Sequence, residues 1–151
     1  MKKIILLAFP LLALLLILPQ TGHAMKVKKF KHFYLGSWEN TYDTCWTAGG
    51  TGSIEIKLTK IKKSGKITQA KVWFNNGRYG EMEAKGKIYW DNGVRKIRLR
   101  YQENGWDYDD YVITGSITAN NIIGAYDHYT LCTDSSSYDC YWGGTVDLVK
   151  E

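Results

Sequence analysis

The sequence predicts an all-β domain, an antiparallel up-and-down barrel of about eight strands, on three observations. Apolar and polar residues alternate with a period of two through most of the chain, no stretch carries a convincing helical period, and asparagine- and glycine-rich turns separate neighbouring runs. Successive side chains on a strand point to opposite faces, so this period marks strands with one dry and one wet side. Eight such strands joined by short turns bury their dry faces most economically by closing on themselves, which leaves no raw edges. A two-sheet β-sandwich is the alternative that meets the same pattern.

Residues 1–24 read as a secretory signal peptide. Met1-Lys2-Lys3 precedes an apolar run from Ile4 to Pro19, and Gly22 and Ala24 place small side chains where a signal peptidase needs them. The run is somewhat shorter than the roughly 20 residues that span a bilayer. No cysteine stands at the cleavage point, so no lipid attachment is expected there. The expected product is a secreted or periplasmic protein made of a single barrel domain, 25–151, with a basic N-terminal leader from Lys26 to His32. The whole chain carries a formal charge of +5, and cleavage removes two lysines with the leading segment. The remaining excess is too mild to argue for nucleic acid, and no nucleic-acid partner is expected.

The first strand is expected over 34–46, with Trp38, Asn40, Tyr42, Thr44 and Trp46 on one face; if Trp38 points inward, the others line the interior. The second, 53–60, sets Ile54, Ile56 and Leu58 against Ser53, Glu55, Lys57 and Thr59. The third spans 67–74 and ends at Asn75-Asn76-Gly77. In the fourth, 78–90, Met82, Ala84, Gly86, Ile88 and Trp90 share a face; Asp91-Asn92-Gly93 then turns the chain into the fifth, 94–102, with Ile97, Leu99 and Tyr101 on its dry side. The sixth and seventh, 111–118 and 122–132, flank Ala119-Asn120-Asn121, and the eighth covers 141–149. These turn residues tolerate positive φ, as tight hairpins require. Both prolines lie in the leading segment, so no later strand is barred from a hydrogen-bonded ladder.

Gly36-Ser37-Trp38 resembles the Gly-x-Trp that opens lipocalin and avidin barrels, and Asn40 is similar to an avidin ligand-binding asparagine. Thr114-Gly115-Ser116 and the closing Gly143-Gly144-Thr145-Val146-Asp147-Leu148 extend the similarity. The resemblance implies a calycin-like barrel and names no ligand.

In a meander the odd strands all end at one end of the barrel. The longer loops, 46–52, 102–110 and 132–140, gather there and bring Trp46, Trp106, Tyr108 and Tyr138 together with Asp107, Asp109, Asp110, Asp134 and Asp139. The opposite end receives the leader and the lysines between Lys60 and Lys66. The expectation is an acidic, aromatic mouth and a basic base. Aromatic rings beside a few polar groups suit a small ligand or a saccharide, with Asn40, Tyr42, Trp46, Trp106, Tyr108 and Tyr138 as the contacts. Two other readings stand beside it: ordinary core rings with solvated loop aspartates, or a protein–protein module, such as an inhibitor offering these loops to a basic hydrolase. The basic base suits peripheral contact with an anionic membrane or a cell-wall polymer.

Catalysis has little support. Beyond the leading segment the histidines are His32 and His128, and no nucleophile elbow, zinc-binding helix or phosphate loop occurs. His128 adjoins Asp127, but strand neighbours face opposite ways. Asp107-Tyr108-Asp109-Asp110 lacks the glycine and glutamate of a calcium-binding EF-hand loop, so neither a metal nor a cofactor is expected. Of the three cysteines, Cys132 and Cys140 flank one hairpin loop and are the first choice for a disulfide. Cys45 with Cys140 is the alternative. Under the first pairing Cys45 stays free and could link two molecules.

Overall fold

Eight antiparallel strands follow one another in sequence order and close into a barrel: β1 (Phe33–Asp43), β2 (Thr51–Ile61), β3 (Lys66–Phe74), β4 (Met82–Asp91), β5 (Val94–Asn104), β6 (Tyr108–Ile117), β7 (Asn121–Leu131) and β8 (Asp139–Lys150). The computed structural model describes residues 27–43, 50–75, 80–104, 108–131 and 139–151. Each strand pairs with the next, and β1 closes the seam against β8 through pairs that run from Tyr34 with Lys150 to Asp43 with Trp142. The closed ladder sets the sandwich alternative aside.

The alternation read from the sequence becomes burial. Ile54, Ile56 and Leu58 are buried from β2, Met82, Ala84 and Ile88 from β4, and Ile97, Leu99 and Tyr101 from β5. Each aliphatic side chain withdrawn from water contributes on the order of 1.5–3 kcal/mol, which makes the inward face the main source of stability. Trp90 departs from the pattern. It shares parity with Ile88, yet at the end of β4 it has run past the core and is 54% exposed.

The expected turns are met by two different devices. At Asn92-Gly93 both residues have positive φ, 47° and 76°, as a two-residue hairpin turn requires. Between β6 and β7 the chain turns without that conformation. The Thr118 hydroxyl accepts hydrogen bonds from the backbone N–H groups of Asn120 and Asn121 at 3.1 and 3.0 Å, so a side chain replaces the backbone strain the sequence suggested. A second correction concerns β6, which begins at Tyr108: Tyr108, Asp109 and Asp110 pair with Leu131, Thr130 and Tyr129 in a ladder rather than standing in a loop.

The two ends of the barrel differ. At the end where β1 begins, a 3₁₀ turn, Val27–Phe30, folds the leader under the strands and drives Phe30 fully out of water. The guanidinium of Arg95 lies 4.9 Å from the Phe30 ring and 4.6 Å from the ring of Trp90, its cross-strand partner, so one cation covers both rings. Above this seal the interior is mainly aliphatic, with Ile67, Ile88, Ile97, Ile117, Ile122 and Leu148 buried. Toward the other end it becomes aromatic. Strands β1, β3, β5 and β7 end, and β2, β4, β6 and β8 begin, at that aromatic end.

Candidate functional site

The aromatic end is assembled by register. Tyr101 on β5, Tyr111 on β6, His128 on β7 and Trp142 on β8 stand directly opposite one another on successive strands and form one inward-facing rung. Tyr101 and Tyr111 stack with ring centroids 4.6 Å apart, and the His128 ring lies 3.5 Å from both Tyr111 and Trp142. One step deeper, Tyr126 meets Trp38 edge to face at 5.9 Å, and Phe74 reaches from β3 to within 6.2 Å of Trp38. Offset and edge contacts of this kind add to the stabilisation from burial and hold ring orientations.

These rings wall a cavity of about 230 Å³, bounded by Trp38, Phe74, Tyr111, Tyr126 and Trp142 together with Met82 and Asn75. Two polar contacts fix its wall. The Trp38 indole N–H donates to Asn75 Oδ1 at 3.2 Å, and the Tyr126 hydroxyl donates to Asn40 Oδ1. Asn75 directly follows β3 with a φ of 52°, a conformation asparagine adopts more readily than most residues. Asn40 is held from the other side by its own backbone N–H, which donates to the Gly50 carbonyl at 2.8 Å. No carboxylate lines this cavity among the described residues.

The expected site residues are distributed unevenly. Asn40 lies beside the cavity wall through its contact with Tyr126. Tyr42, which strict alternation places on the same face as Trp38 and Asn40, points outward. The β1–β8 register shifts between Asn40 and Tyr42, and this bulge turns the side chain over: Tyr42 is 42% exposed and its hydroxyl donates to Asp127 Oδ1 at 2.7 Å on the outer wall. Burial, and then Asp127, pushes the Tyr42 phenol up to about 12. Tyr108 is placed as the first residue of β6. Trp46, Trp106 and Tyr138 lie outside the described residues, as do Cys45 and Cys132, while Cys140 stands in β8 opposite Thr130.

His128 is buried and Asp127 is exposed on the opposite face, so the two neighbours are parted as strand geometry dictates. Phe74, Asn75, Met82, Tyr111, Tyr126 and Trp142 were not among the expected contacts. Parity alone would have found most of them: two steps back from buried Ile113 lies Tyr111, four back from Val146 lies Trp142, and four on from Ile122 lies Tyr126. No protein-family model matches the chain, and no curated protein or solved structure matches it.

Proposed function

We propose that this is an exported, non-enzymatic binding protein that takes a small, single-ring molecule or one saccharide unit in its aromatic cavity. One observation carries the reading: a sealed, aliphatic barrel opens into a 230 Å³ space walled by five aromatic rings. A cavity of about 150 Å³ holds a benzene molecule, and drug-sized ligands occupy roughly 300–1,000 Å³. The space therefore suits one ring with substituents and is too small for a fatty acyl chain. Aromatic faces pack against the C–H faces of a sugar or against another ring, and the Asn40 and Asn75 amides are the polar groups that would fix its orientation. The calycin-like Gly36-Ser37-Trp38 supports the same reading, since Trp38 stands in the cavity wall.

The test is a tryptophan-fluorescence titration of the folded protein against monosaccharides, aromatic amines, fatty acids and biotin. A saturable response to a single-ring compound is expected, weakened at least about tenfold in Trp142→Ala and retained in Trp90→Ala at the sealed end. Tyr126→Phe, which keeps the ring and removes the hydroxyl, separates loss of a contact from loss of folding. A folded protein that answers no compound would overturn the small-ligand reading in favour of a protein partner.

A further inference from the structure

The outer wall carries a second feature, independent of the cavity. Lysines and arginines distant in sequence are brought side by side by the register of β3, β4 and β5. Lys66 stands opposite Lys87, Lys87 opposite Arg98, and one step along the wall Lys85 stands opposite Arg100. All five side chains are exposed, and together with Ser64 and Tyr89 they line a groove of about 600 Å³. No carboxylate lines this groove among the described residues. Beside the groove the β3–β4 register shifts between Ile67 and Ala70, an irregularity of the ladder next to Lys85.

Like charges directly opposite on neighbouring strands destabilise a sheet. The same wall shows how such a pair is otherwise relieved: Lys71, opposite Lys57, forms an ion pair with Glu81. No ion pair among the described residues involves Lys66, Lys85, Lys87 or Arg98. Two directly opposed like-charge pairs, Lys66 with Lys87 and Lys87 with Arg98, thus stand in one patch that the fold does not require. The patch is also elongated, continuing from the exposed Lys62 and Lys63 in the β2–β3 turn through Lys66 and up the wall to Lys85 and Arg100.

From this geometry we propose that the groove binds a linear anionic polysaccharide bearing phosphate or sulfate esters. A recessed strip follows a chain, whereas a bilayer offers a plane. Non-specific single-stranded nucleic acid is held by rings on which bases stack. The groove has one aromatic ring, Tyr89, and the Lys87 ammonium lies over it at 4.7 Å. Charge spacing then does the recognising, with the groove's cations displacing the counterions condensed along the polyanion.

The experiment measures binding of the native protein to heparin as a function of salt, beside single-stranded DNA of matched charge and phosphatidylglycerol vesicles. Heparin is expected to bind most tightly. With Lys66, Lys85, Lys87 and Arg98 as the contacts, the slope of log K on log salt should be on the order of −3, falling toward about −1.5 in the Lys87→Gln/Arg98→Gln double variant. That variant should lose about tenfold in affinity at physiological salt. Lys57→Gln/Lys150→Gln removes the same net charge at residues that do not line the groove and should cost less than about twofold. Both pairs are exposed, and the native fold is checked by circular dichroism. Equal losses from the two double variants, or tighter binding to the DNA or the vesicles than to heparin, would overturn the proposal.

Discussion

Tyr42 reaches Asp127 across Gly143: the three residues are aligned on β1, β8 and β7, and the hydroxyl–carboxylate bond of 2.7 Å passes over the one with no side chain. A Cβ at residue 143 would collide with the Tyr42 hydroxyl and with the Tyr126 carbonyl. Gly143→Ala should therefore expel Tyr42 and strain the seam, at a cost of about 1–3 kcal/mol. Urea unfolding measures it, and a variant as stable as the native protein would show that the tyrosine does not lie over the glycine.

The same bond shapes the response to alkali. Tyr34 and Tyr42 are both pushed up to about 12, Tyr34 by burial alone and Tyr42 by burial with Asp127 in addition. A phenol with a raised pKa favours the fold in its neutral form. The stabilisation is complete below pH 10, the ordinary tyrosine value, and is lost as the pH climbs toward 12. Asp127→Asn should lower the Tyr42 titration and leave Tyr34 in place, read from phenolate absorbance. A parallel fall in both would refute the separate causes.

Phe30 makes the leader part of the fold. Truncating this fully buried ring to alanine should cost about 3–5 kcal/mol, a large share of a domain's usual stability. Thermal or denaturant unfolding tests it, and a chain beginning at Phe33 should be weakened at least as much. A loss below about 1 kcal/mol would mean that the barrel holds its floor without Phe30.

Asn75 offers a cleaner probe of the cavity wall. Asn75→Gly accommodates the positive φ and removes the acceptor of the Trp38 indole N–H. The expected cost is about 1 kcal/mol, with a change in tryptophan emission as the indole loses its partner. Unchanged emission would place Trp38 elsewhere.

Strand number, order and most inward faces were legible in the sequence, because a period of two is a direct imprint of a closed sheet with one dry side. The parity of Ile54, Ile56 and Leu58 sufficed for β2. It failed at Tyr42, since one extra residue in a bulge reverses every later side chain and leaves no local mark in composition. It failed differently at Trp90, where parity was right but the strand had outrun the core. The rung of Tyr101, Tyr111, His128 and Trp142 was hidden for another reason: it depends on the register of four strands, which alternation within one strand does not encode. The basic groove escaped in the same way, its lysines and arginines being unremarkable in each strand and unusual only once β3, β4 and β5 are laid side by side.

The seam between β1 and β8 also governs how the chain reaches this state. Every other pairing joins consecutive strands and forms as a local hairpin, whereas Tyr34 and Lys150 meet only when nearly the whole domain has been drawn into a ring, which the Glu151 N–H then ties to the Phe33 carbonyl at 3.0 Å. Loop closure of that length makes the seam the slowest pairing to nucleate. Until it closes, the nascent sheet exposes two unpaired edges, each able to recruit a second copy of the chain, and the yield of folded protein is set by a race between ring closure and edge-to-edge association.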